Sequence, residues 1–123
     1  MTEYRFDDLP SRYPKVFSSG APSRGFEVGA GWAFLIHTLC DRINGLLQED
    51  ADALFEVIQV KEKFGQLRFY YKLRNASDHL AHEIRDSVDR VSAASGNCCE
   101  VCGKRGILES KNGWQRVRCA NCA

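Results

Sequence analysis

The chain predicts a small α+β fold: two amphipathic helices and a β-hairpin, closed at the carboxy end by a four-cysteine ribbon. Three observations predict it. Apolar residues recur with helical period in two stretches, a period-two stretch lies between them, and two C-x-x-C pairs stand sixteen residues apart near the end. Over 123 residues, an apolar fraction of 44% and a charged fraction of 27% are ordinary for a globular chain and argue against extended disorder. That length suits one packed domain. Composition divides it into an extended arm (1–25), an α-β-β-α body (26–97) and a ribbon (98–123).

The arm carries all three prolines, Pro10, Pro14 and Pro22, with Ser18-Ser19-Gly20 and Ser23-Arg24-Gly25. Such punctuation breaks regular structure, while Tyr13, Val16 and Phe17 can anchor the arm on the body. From Gly31 to about Gln48, Trp32, Leu35, Ile36, Leu39, Ile43, Leu46 and Leu47 make one apolar stripe, with Asp41, Arg42 and Gln48 facing away. This is the first helix. A polar connection, Glu49 to Asp52, leads to two runs, Phe55–Lys63 and Leu67–Leu73, around Phe64-Gly65-Gln66. Leu67, Phe69, Tyr71 and Leu73 alternate with Arg68, Tyr70 and Lys72, which predicts an antiparallel hairpin with the Leu67 set inward and room for a third strand from the tail. Asn75 to Ser77 offer caps before Leu80, Ile84, Val88 and Val91, a second amphipathic helix that Gly96-Asn97 ends.

Cys99-Glu-Val-Cys102 and Cys119-Ala-Asn-Cys122 have the spacing of a four-thiolate zinc site, each pair on one tight turn. Gly103, directly after the first pair, suits the positive φ such a knuckle needs. Four protein ligands leave no open coordination position, so one Zn²⁺ is expected as scaffolding rather than catalyst. Cys98 competes with Cys99, but the two-residue spacing to Cys102 favours Cys99. Cys40, inside an apolar stripe, reads as a small core residue. Between the pairs, Lys111-Asn112-Gly113 is a turn, and Trp114 is expected to pack against Ile107, Leu108 or the second helix, tying the ribbon to the body.

The remaining chemistry is sparse. His37 precedes Cys40 by three residues, a spacing for a base and nucleophile, but no third orienting group follows. His79, His82 and Glu83 share a side of the second helix at metal-bridging offsets, where a polar face is the commoner explanation. There is no Walker loop, no G-x-S-x-G elbow and no H-E-x-x-H pair. The expectation is therefore a non-enzyme with no small-molecule substrate. No run approaches membrane-spanning length, and the first residues lack the order of a signal peptide, so a cytoplasmic protein without membrane attachment is expected.

Several stretches together resemble a family of small phage and bacterial proteins. They are Tyr13-Pro-Lys-Val-Phe17, Gly31-Trp32, Leu39-Cys40, Gln59-Val-Lys-Glu-Lys-Phe-Gly65, Leu67-Arg-Phe-Tyr-Tyr71, Cys99-Glu-Val-Cys102-Gly103 and Gly113-Trp114. The resemblance runs from Tyr13 to Cys122 and names a family without naming a function. In that family the last ligand position is often histidine and the region after Leu73 is richer in glycine. Here Cys122 and Arg74-Asn75-Ala76 stand instead; the thiolate keeps a zinc site intact.

Two binding functions follow. The first is a protein-binding module of the immunity, inhibitor or anti-defence kind, using Arg68, Tyr70, Lys72, Arg105 and Arg116, residue types favoured at interfaces. The second is a nucleic-acid-binding zinc ribbon reading phosphates with Lys104, Arg105, Lys111, Arg116 and Arg118. Charge favours the first: 17 basic residues stand against 16 acidic ones. After the thiolates and zinc are counted the tail is only about plus one, where a phosphate binder shows a denser basic footprint.

Overall fold

The computed structural model describes residues 4–123. Its amino-terminal segment is not the extended arm that the prolines predict. Phe6–Asp8 form a 3₁₀ turn that runs into a single α-helical turn, α1 (Leu9–Arg12). Pro10 lies in the first turn of α1, where its missing N–H removes no helical hydrogen bond. The expected anchors do dock: Tyr13, Val16 and Phe17 are buried together with Leu9. Phe17 bridges to Glu56, and the Ser18 hydroxyl donates to the carbonyl of Phe55 at 2.6 Å.

The body's sheet has three strands in the order β1-β2-β3. The third strand comes from β1 (Phe26–Glu27), which runs parallel to β2 (Leu54–Lys63), and not from the tail. β2 pairs antiparallel with β3 (Gln66–Arg74), from Leu54 opposite Arg74 to Lys63 opposite Gln66. Phe55 and Val57 point to the core, but strict alternation would bring Gln59 inward in place of Val60. A bulge between Val57 and Gln59 inserts Ile58, flips the parity and buries Val60. The hairpin turns at Phe64 and Gly65, both at positive φ, and the Glu62 carboxylate accepts from the Gly65 N–H at 2.7 Å.

A 3₁₀ turn, Ala30–Trp32, feeds α2 (Ala33–Gln48), whose Ile36, Leu39, Cys40, Ile43 and Leu47 are buried. α3 (Asp78–Ser95) begins at Ser77, whose hydroxyl accepts from the Leu80 N–H at 3.1 Å, and packs on β3 and α2. Arg42 joins the helices, donating to the Ser87 hydroxyl at 3.0 Å and pairing with Glu83 at 3.3 Å. One core unites Leu9 and Val16 with Trp32, Ile36, Val60, Leu67 and Ile84. The opposite face of the sheet carries Arg68, Tyr70 and Lys72, as their alternation predicts. Among the described residues no helix is long and apolar enough to cross a membrane.

The tail forms its own two-stranded sheet, β4 (Ile107–Lys111) against β5 (Trp114–Arg118), turning at Asn112-Gly113 with both residues at positive φ.

Candidate metal centre

The knuckles are built by backbone valence. The Cys99 N–H donates to the Lys104 carbonyl at 2.7 Å and the Gly103 N–H to the Cys99 carbonyl at 2.9 Å; Gly103 sits at φ 82°. Cys122 N–H returns to the Cys119 carbonyl at 3.1 Å. These two turns bring one sulfur each from Cys99, Cys102, Cys119 and Cys122 within 4.8 Å of one another, with Cys102 and Cys119 Sγ at 3.5 Å. A tetrahedron with metal–sulfur bonds of about 2.3 Å has edges of about 3.8 Å, so the four sulfurs fit a single ion with little movement. Cys99 is buried and Cys102 exposed, which puts the centre at the surface with one wall in the core.

The thiols share their protons unequally. Burial pushes Cys99 up, but hydrogen bonds from the backbone of Cys102, Cys119 and Val101 overcome it and bring Cys99 down to about 6. Cys119 is also lowered, chiefly by the Cys102 side chain. Cys122, in contact with the Cys119 sulfur, is pushed up to about 12. Four sulfurs this close would repel one another if all were deprotonated, a repulsion that a bound cation would relieve.

Cys98 stands outside the four-sulfur cluster. Its sulfur turns to the carbonyls of Gly31 and Gly103, each at 3.5 Å, and its thiol is raised by burial. That places Cys98 at the joint between ribbon and body. The Trp32 indole N–H donates to the Cys98 carbonyl at 2.8 Å, the Gly31 N–H to the Glu100 carbonyl at 2.8 Å, and the Gly29 N–H to the Glu100 carboxylate at 3.0 Å. A Cβ on Gly31 would collide with the Cys99 carbonyl, so the two backbones touch there. A second joint lies at the hairpin turn, where a Cβ on Gly65 would strike the Leu108 side chain.

Trp114 does not make the expected attachment. It pairs with Lys111 at the tip of the ribbon and stays 65% exposed, as do Ile107 at 68% and Leu108 at 54%. Val117, fully buried, takes that role, its carbonyl accepting from the Glu100 N–H at 3.2 Å. The joint residues Gly29, Gly31, Trp32 and Glu100 had one readable signal, the Gly-x-Gly-Trp run, which periodicity absorbs into the helix start.

The other candidates separate. Arg68, Tyr70 and Lys72 share the open sheet face, with Tyr70 exposed and Arg68 half-buried. Arg105 is exposed on the first knuckle, away from them. Arg116 is held by Glu109 at 2.8 Å, and Arg118 pairs with Glu100 at 3.5 Å. His37 Nε2 meets the Arg5 carbonyl at 2.7 Å, and burial raises the Cys40 thiol so far that it stays protonated. His79 and His82 are exposed and Glu83 is taken by Arg42; among the described residues the four cysteines are the one group that could hold a metal.

No protein-family model matches the chain, and no curated protein or solved structure matches it.

Proposed function

We propose that the four cysteines hold one structural Zn²⁺ and that the chain is a non-enzymatic binding module for another protein, of the immunity, inhibitor or anti-defence kind carried by phage and mobile elements. The four sulfurs, all within 4.8 Å of one another, carry the metal part: four thiolates around one ion select zinc or iron, and with every position filled by protein neither water nor substrate would have a vacant site. The two joints explain what the ion would be for. Bound metal holds both knuckles, and the first knuckle rests on Gly29, Gly31 and Trp32, so metal binding adds to the stability of the whole chain.

The ion pairs support a protein partner over a phosphate backbone. Glu109 and Glu100 engage Arg116 and Arg118, which leaves Lys104, Arg105 and Lys111 as the ribbon's cations outside an ion pair among the described residues. That is a thin footprint for nucleic acid.

Elemental analysis of protein purified under reducing conditions tests the metal. One zinc per chain is expected, and Co²⁺ exchanged into the site should show the intense thiolate charge-transfer bands of tetrahedral S₄ coordination. A sub-stoichiometric metal content, or a visible iron chromophore, refutes the zinc assignment.

A further inference from the structure

We propose that the free edge of β3, from Phe69 to Leu73, receives an extended peptide segment of the partner by strand addition, with acidic side chains at alternate positions meeting Arg68, Lys72 and Arg74. This rests on the protein-binding reading above.

The edge follows from hydrogen-bond valence. β2 is flanked on both sides, whereas β3 has β2 as its sole neighbour. At Leu67 the outward backbone is satisfied by α3: the N–H donates to the Ser95 hydroxyl at 3.0 Å, and the carbonyl accepts from the Ser92 hydroxyl at 2.8 Å. Leu67 therefore points its backbone away from β2, and antiparallel alternation points Phe69, Tyr71 and Leu73 the same way. Among the described residues no hydrogen bond reaches those three from outside the β2–β3 ladder. Open backbone of this kind is what strand addition uses, and alternate side chains supply its specificity.

The side chains set the sign. The outer face carries Lys61 directly opposite Arg68, Lys72 opposite Glu56, and Arg74 at the end. Like charges opposite each other are unfavourable, and Arg68 Nε is buried without a partner. None of Lys61, Arg68, Lys72 or Arg74 forms an ion pair among the described residues. Acidic residues on an added strand would meet Arg68, Lys72 and Arg74, with Tyr70 as an aromatic contact between them. A second copy fits worse: antiparallel pairing centred on Tyr71 sets Arg68 against Arg74.

The test uses the intact, zinc-loaded chain and a capped peptide of about nine residues, the length of β3, alternating Glu with Val. The control peptide has Lys for Glu. Saturation with the Glu peptide should slow amide hydrogen exchange at Phe69, Tyr71 and Leu73 by about tenfold or more, leave Leu67 unchanged, and be absent with the Lys peptide. Tyr71→Pro removes one outward N–H without touching the β2 ladder and should abolish the effect at Phe69 and Leu73. Should that variant fail to fold, the pair Lys72→Glu with Arg74→Glu carries the test by transferring preference to the Lys peptide. Unchanged exchange at all three amides with millimolar Glu peptide, or ladder-like protection already in the free monomer, overturns the proposal. So does protection that grows with chain concentration, which marks a second copy. A host protein captured equally well by Tyr71→Pro would overturn the edge while leaving the protein-binding reading intact. Displacement of the peptide by single-stranded DNA at physiological salt would overturn both.

Discussion

Gly31 is the residue on which the sequence-distant parts of the chain converge. Its amide donates to the Glu100 carbonyl, its own carbonyl lies 3.5 Å from the Cys98 sulfur, and the Cys99 carbonyl occupies the space a side chain would need. Gly31→Ala must push the first knuckle off the start of α2, because the colliding atoms are backbone and cannot rotate away. Destabilisation above about 2 kcal/mol is expected, with weakened zinc retention, read by denaturant titration and competition with a chromophoric chelator. Ser95 is a second such point: its buried hydroxyl accepts from Leu67 N–H and donates to the Ser92 carbonyl. Ser95→Ala strands a buried N–H and should cost about 1–3 kcal/mol. Trp114→Phe, by contrast, changes an exposed side chain at the ribbon tip and should stay within about 0.5 kcal/mol of the parent.

At the scale of elements, the near-neutral Trp114→Phe chain turns the other tryptophan into a reporter. Trp32 is fully buried, and its indole N–H is committed to the Cys98 carbonyl. Stripping the metal with a strong chelator releases both knuckles, so Trp32 emission in that background should shift to the red and the melting temperature should fall by several degrees. An unshifted spectrum after confirmed metal loss would show that the ribbon and body fold independently. The two helices, the hairpin and the clustered cysteines were legible because each repeats with a period or a spacing: Ile36, Leu39, Ile43 and Leu47 for α2, Leu67 and Phe69 for β3, and the C-x-x-C pairs for the four-sulfur cluster. What escaped lacks a period. β1 has two residues, too few for any alternation, and the bulge at Ile58 shows only as a break in the β2 pattern. Pro10 reads as a breaker, although a proline in a first helical turn is compatible with α1. Trp114 faces solvent because β4–β5 register pairs it with Lys111, one strand position away from the face that buries Val117.

For the molecule as a whole, a net charge of +1 leaves no long-range field to gather polyanions, so discrimination between partners rests on local faces. The sheet face holds Lys61, Arg68, Lys72 and Arg74 against Glu27 and Glu56, and Glu27 is also engaged by the Gln59 amide at 3.0 Å. The ribbon's arginines at 116 and 118 are occupied by acidic neighbours on their own hairpin and knuckle. A single strand of nucleic acid would meet the sheet face's cations interleaved with Glu27 and Glu56, and exposed rings set on separate elements, Tyr70 on β3 and Trp114 at the ribbon tip, rather than one run of stacking rings. Zinc-loaded protein mixed with single- and double-stranded DNA and RNA should give no retardation at micromolar concentration and physiological salt. Any shift at low salt should vanish as salt rises and should be lost equally for every sequence. Micromolar retardation persisting at physiological salt, with a slope of about −0.7 in log affinity for each phosphate neutralised, would reverse the choice of partner. Loss of that retardation in Lys72→Glu but not in Arg105→Glu would assign it to the sheet; the opposite pattern would assign it to the ribbon.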